Sequence, residues 1–116
     1  MTQPAPADFL PLTPLAFEIL LALAGGEAHG YRILIEIEAR TGGALRPHAG
    51  TLYRAIARMV EQGLVEELDG RPAPELDDER RRYYRLTRLG AAAAAAETQR
   101  LEDQVRVARL RLAGSP

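Results

Sequence analysis

From Thr87, a suitable N-cap, through Ala91 to Ala96 and on to Leu112, the chain is a run of strong helix formers. It reads as one helix of about 26 residues, about 39 Å long at a rise of about 1.5 Å per residue. A chain of 116 residues folds into a body whose radius of gyration is near about 13 Å. Such a helix outruns its own domain. Its apolar stripe, Leu101, Val105, Ala108 and Leu112, recurs at four, three and four residues, the spacing of a helix-pairing seam. The distal half is therefore expected to meet a second chain, and residues 87–113 are taken as a dimerisation helix.

The rest of the composition narrows the class. The length fits one domain. Without cysteine there is no disulfide framework, thiolate nucleophile or cysteine-bound metal. The first residues show no basic start followed by an apolar run, and the apolar stretch from Leu15 to Ala24 is too short to span a bilayer. A soluble, cytoplasmic protein with no membrane partner is expected. All 15 basic residues are arginine, which together with the alanine content is read as coding bias rather than selection for phosphate. Metal and enzyme chemistry find no foothold. His29 and His48 stand apart, the carboxylates from Glu75 to Glu79 lack the spacing of a calcium site, and the only serine is Ser115. No cofactor and no catalytic residues are expected.

Along the chain, residues 1–12 carry Pro4, Pro6 and Pro11 without a helical period and are read as a flexible arm. Thr13 caps a first helix that begins at Pro14, shows Leu15, Ile19, Leu20 and Leu23 on one face, and stops at Gly25-Gly26. A second helix follows the turn at His29-Gly30, where His29 serves as a turn or capping residue. Its apolar positions are read as Tyr31, Leu34, Ile35 and Ile37, and Thr41-Gly42-Gly43 closes it. A third starts near Pro47, places Leu52, Ile56, Met59 and Val60 inward, leaves His48, Thr51, Arg54, Ala57 and Arg58 outside, and ends at Gly63. Residues 64–68 and 82–86 have strand composition and flank a polar loop with Gly70, Pro72 and Pro74. They form a hairpin in which Tyr84 and Leu86 share one face and Tyr83 and Arg85 the other, so one tyrosine packs inward and one outward. The expected fold is mainly α with a small β-hairpin wing, a winged helix-turn-helix over residues 13–86.

Charge is distributed unevenly behind a total of −1. Residues 46–65 carry +2 and residues 80–88 carry +5, against −6 for residues 66–79. The positive segments are the third helix and the returning wing strand, the elements a winged helix presents to the major groove and the adjacent backbone. Arg80, Arg81 and Arg82 either contact phosphate or the minor groove, or form a solvated run that balances the acids from Glu75 to Glu79. His48, at the start of the third helix, is a further candidate donor to phosphate.

The segments HGYRI at 29–33, GTLYRAIARMVEQGLV at 50–65 and RRYYRLTRLG at 81–90, in this order and spacing, resemble the PadR family of bacterial transcriptional regulators, specifically its short single-domain type. The resemblance spans about residues 13–100. It implies a dimeric winged-helix repressor whose first and last helices supply the dimer contacts, which adds Leu15 and Ile19 to the seam. It also puts Gly50, Thr51, Tyr53 and Arg54 at the DNA-facing start of the recognition helix, with Arg58 further along.

Arg54 is the first candidate to read a guanine edge. Tyr53 either packs or donates to phosphate, Thr51 either contacts DNA or only steadies the helix start, and Arg58 either contacts DNA or solubilises. Gly50, lacking Cβ, would admit a phosphate or the preceding helix. Family members often respond to small aromatic or hydrophobic effectors, and such an effector is a further expectation. Phe17 and the alanine run border a cavity or simply pack. The expected function is sequence-specific repression by a dimer on an inverted-repeat operator. The competing function is a winged-helix adaptor that binds protein without reading an operator.

Overall fold

The computed structural model describes residues 3–68 and 82–114. Its elements run α1 (Pro14–Ala24), β1 (Ala28–His29), α2 (Gly30–Arg40), α3 (Ala49–Glu61), β2 (Val65–Leu68), β3 (Tyr83–Leu86) and α4 (Arg88–Leu112). The strands make one antiparallel sheet in the order β1-β3-β2. This is the winged helix-turn-helix with a long last helix that the sequence leads one to expect. β1 adds a strand that periodicity does not reveal, because two residues are too few to show alternation.

The helix ends follow local chemistry. The Thr13 hydroxyl accepts the Ala16 N–H at 3.1 Å, and Pro14 at the first helical position leaves no N–H to satisfy. His29 Nδ1 caps α2 by accepting the Arg32 N–H at 3.0 Å. α3 ends at Gly63, whose φ of +81° permits two closing bonds, from its own N–H to the Val60 carbonyl and from the Leu64 N–H to the Met59 carbonyl, both 3.0 Å.

The core is built from Ile19, Leu20, Ile33, Ile37, Leu52, Ile56, Leu64 and Val65, all fully buried. Two expectations change here. On α2 the inward positions are Ile33 and Ile37, one turn apart, whereas Tyr31 and Ile35 lie on the opposite side and remain 48% and 47% exposed. On α1, Ile19 is wholly enclosed by its own chain, so its side chain offers no surface to a second copy. Leu15 lies half-buried at the margin of the core. Arg40 ties α2 to α1 by donating to the Glu18 carboxylate at 2.6 and 2.9 Å and to the Glu18 carbonyl at 3.0 Å.

The described part of the segment expected to be a flexible arm is instead docked. Pro6–Phe9 forms a 3-10 turn, steadied by the Ala5 N–H donating to the Asp8 carboxylate at 2.8 Å. The prolines exclude an α-helix, yet Phe9 and Leu12 pack against the core. The Leu12 backbone lies near the carboxylate of Glu97 on α4 and favours its charged form; Glu97 is 2% exposed and holds Arg100 through bonds of 2.7 and 2.8 Å. This bidentate Arg100 contact keeps the Glu97 carboxyl below the usual carboxylate range, more than offsetting burial, which acts in the opposite sense.

α4 begins where it does because of Thr87 and Gly90. The Thr87 hydroxyl accepts the Gly90 N–H at 3.0 Å and donates to the Gly63 carbonyl at 2.6 Å. A Cβ at Gly90 would stand 2.0 Å from the Leu64 carbonyl oxygen, so only glycine fits. Beyond Leu101 every described residue of α4 is exposed, and the molecule is 61 Å in its longest dimension with a radius of gyration of 16.2 Å. The long helix does outrun the domain.

Two outcomes follow for stability. Gly90→Ala forces α4 off Leu64 and is expected to destabilise by about 3 kcal/mol, read by urea unfolding; a loss below the few tenths of a kcal/mol typical of a surface change would contradict this packing. Glu97→Gln is expected to destabilise by about 2 kcal/mol at neutral pH. Since the folded carboxyl titrates below its unfolded value, its stabilisation is complete above the ordinary glutamate range and fades as pH falls through that range to the lowered value. The difference between wild type and Glu97→Gln should therefore shrink as pH falls below the ordinary glutamate range. A difference that stays constant with pH would assign the effect to something other than the carboxylate.

Candidate nucleic-acid interface

α3 is strongly two-faced. Leu52, Ile56 and Met59 are buried, while His48, Gly50, Thr51, Arg54, Ala57 and Arg58 are exposed. The outward set matches the one expected from periodicity. His48 is the residue before α3 and makes no side-chain cap bond. Arg54 folds back along the helix, its guanidinium 3.4 Å from the Thr51 hydroxyl. Its Nη1 would lie 3.3 Å from a Cβ at Gly50. The missing Cβ at Gly50 thus makes room for Arg54, not for the preceding helix.

The close helix approach occurs elsewhere. A Cβ at Gly30 would lie 2.3 Å from the Tyr53 ring and 2.7 Å from its hydroxyl oxygen, so the half-buried Tyr53 packs over the start of α2. Gly30 therefore sets the distance between the two helices of the helix-turn-helix. Its role is not legible in the sequence, because the contact depends on where Tyr53 lands.

The wing brings its arginines to carboxylates. Register places Glu66 opposite Arg85 and Glu67 opposite Tyr84. Arg85 donates to Glu66 at 2.6 Å, and Arg82 lies 3.7 Å from Glu67. Tyr84 is buried under the sheet, whereas the half-buried Tyr83 meets the His29 ring edge-on at 5.4 Å. Arg82, Glu67 and Tyr84 border a cleft of about 190 Å³ whose other wall is Tyr53, Ala57 and Val60 of α3. Recognition helix and wing thus meet at Arg82. Arg80, Arg81 and the acids from Glu75 to Glu79 lie outside the described residues.

Cation pairing separates the two elements. Among the described residues Arg54 and Arg58 have no acidic partner, whereas Arg82 and Arg85 each have one. Arg46, exposed in the turn before α3 with its guanidinium against Gly43, joins the basic surface. Its only sequence signal is its place in the positive segment. No described helix is long and apolar enough to cross a membrane, and the described residues hold no cluster of metal-binding side chains.

Comparison with known proteins agrees with this geometry. Residues 19–96 match the transcriptional regulator PadR-like family. The chain belongs to that family. A transcriptional regulator from Clostridium thermocellum shares the fold at a TM-score of 0.66 and 28% identity, over 82% of this chain and 86% of that one. Bacillus subtilis PadR, solved in complex with operator DNA, aligns at a TM-score of 0.58 and 22% identity, over 82% of this chain and 48% of that chain. An uncharacterized protein from Lysinibacillus sphaericus is 32% identical over 74 residues, which is 64% of this chain and 65% of the relative's own length. The alignment thus spans just under two thirds of that curated relative.

Proposed function

We propose that this PadR-family chain is a dimeric, cytoplasmic repressor that reads an inverted-repeat operator with α3 and is released by a small aromatic or hydrophobic effector. The observation that carries the reading is the outward face of α3, where Arg54 and Arg58 stand exposed without an acidic partner among the described residues. Guanidinium groups not held by a carboxylate, on a groove-sized helix, suit base edges and phosphates. The operator complex of Bacillus subtilis PadR supports the same use of the fold. Thr51 and His48 would flank Arg54 at the helix start, and Arg80 to Arg82 would meet the adjacent backbone.

Pairing of chains rests on the distal half of α4. Val105, Leu110 and Leu112 are exposed by 47%, 75% and 71%, more apolar surface than a lone helix gains by showing to water. Phe17 of α1 and Leu101, Val105 and Leu110 of α4 line an open groove of about 560 Å³, where a second α4 would lie. Leu15, Ala108 and Leu112 would extend this contact. A two-fold dimer would set two α3 helices about 34 Å apart, one turn of duplex. An effector seated in the same groove would alter that separation.

The decisive experiment titrates the protein against its own upstream DNA and a scrambled duplex over a salt series. Preferential binding that weakens steeply with salt is expected. Equal, weak binding to both duplexes would favour the adaptor function. Arg54→Ala should lose about 1 to 3 kcal/mol on the operator and less on scrambled DNA; equal losses on both would remove its base-reading role. Val105→Asp, at an exposed site, should leave the fold intact, yield monomers by sedimentation and weaken operator binding. A dimer that persists would place the seam elsewhere.

A further inference from the structure

The two faces of the wing hold their arginines differently. Side chains alternate along each strand, so Glu67 shares a face with Val65 and Tyr84, toward α3, while Glu66 and Arg85 share the other. On the far face Arg85 is hydrogen-bonded to Glu66 at 2.6 Å. On the α3 side the nearest Arg82 nitrogen stands 3.7 Å from Glu67, beyond hydrogen-bonding distance. Both partners there are well exposed, at 55% and 39%. Because this pair borders the cleft formed with Tyr53 and Ala57 of α3, Glu67 puts a carboxylate into the angle between recognition helix and wing.

We propose that Glu67 sets the affinity of this protein for DNA, by holding Arg82 in the free protein and competing with backbone phosphate for it. The inference rests on the DNA-binding function proposed above. A loose, solvated pair of this kind contributes little stability, so exchanging Glu67 for a phosphate is easy. The phosphate offers Arg82 bidentate, charge-assisted hydrogen bonds that Glu67 does not make. Once displaced, the Glu67 carboxylate still repels the duplex, which holds affinity below what the arginines alone would give. The Glu66 pair is about as exposed, but Arg85 is hydrogen-bonded to Glu66 and that face points away from α3.

The test compares Glu67→Gln and Glu66→Gln in the full chain, both near-isosteric changes at exposed sites, after thermal melting has confirmed the fold of each. Binding to the upstream duplex and to a scrambled duplex is followed over a salt series. Glu67→Gln should bind both duplexes about 3- to 10-fold tighter at low salt, with a slope of log K against log salt steeper by about 1. Glu66→Gln should stay within about twofold of wild type. In an Arg82→Ala background, Glu67→Gln should lose most of its gain, which ties the effect to that guanidinium. No gain from Glu67→Gln, or equal gains from both glutamines, would overturn the inference while leaving the regulator function standing. Failure of the wild type to bind any duplex would overturn that function and the inference with it.

Discussion

The first turn of α4 leaves no space for a side chain at Gly90, because the Leu64 carbonyl already fills it. Leu64 is the residue whose N–H closes α3, and its carbonyl also accepts the Thr87 N–H at 3.2 Å. Thr87 in turn caps α4 and donates to Gly63. The end of the recognition helix, the base of the wing and the start of the long helix therefore share a few backbone atoms. None of the three can rotate without breaking hydrogen bonds that sit beside a buried core, where an unmade bond is expensive. A change in the direction of α4 is consequently also a change in the position of α3.

The same helix has two characters along its length. Gly90, Ala93, Ala94 and Glu97 are buried, and the first three carry at most a methyl group, which lets α4 lie close against α1 and the sheet. Glu97 would be a liability there if Arg100 did not bind both of its oxygens. The N-terminal segment packs on the same stretch, so residues 5–12 clasp the half of α4 that belongs to the domain. The half beyond Leu101 receives no such support among the described residues. Its exposed valines and leucines are the physical argument for a second copy.

What could be read from the sequence was what depends on near neighbours. The caps at Thr13, His29 and Thr87, the stop at Gly63 and the inward face of α3 each rest on residues within four positions of one another, and all stand as read. The α2 face was misjudged because Tyr31, Ile33, Ile35 and Ile37 supply apolar residues on both sides of the helix; only packing against α1 and α3 selects Ile33 and Ile37. Docking of the N-terminal segment was hidden for a related reason. Its prolines announce irregular backbone, but the surface it packs on belongs to the core and to α4, at the far end of the chain. Gly30 and Gly90 were equally silent, since a missing Cβ acquires meaning only when something distant occupies its place. The wing arginines Arg80 and Arg81 stay at the level of expectation.

A net charge of −1 says little about whether a chain of this kind meets a polyanion, because what a phosphate feels is local and partner-dependent. The segment charges point to a basic helix and a basic strand, but the arginines within them are not equivalent. The structure divides them. Arg40 and Arg100 are consumed by buttressing the fold, Arg82 and Arg85 face carboxylates across the wing, and Arg54 and Arg58 alone on α3 remain unpaired among the described residues. A count of basic residues therefore overstates the cationic surface on the wing relative to α3. The division also explains how an acidic protein can present a positive edge: some of its carboxylates neutralise structural arginines, while Arg54 and Arg58 on the outward face of α3 have no acidic partner among the described residues.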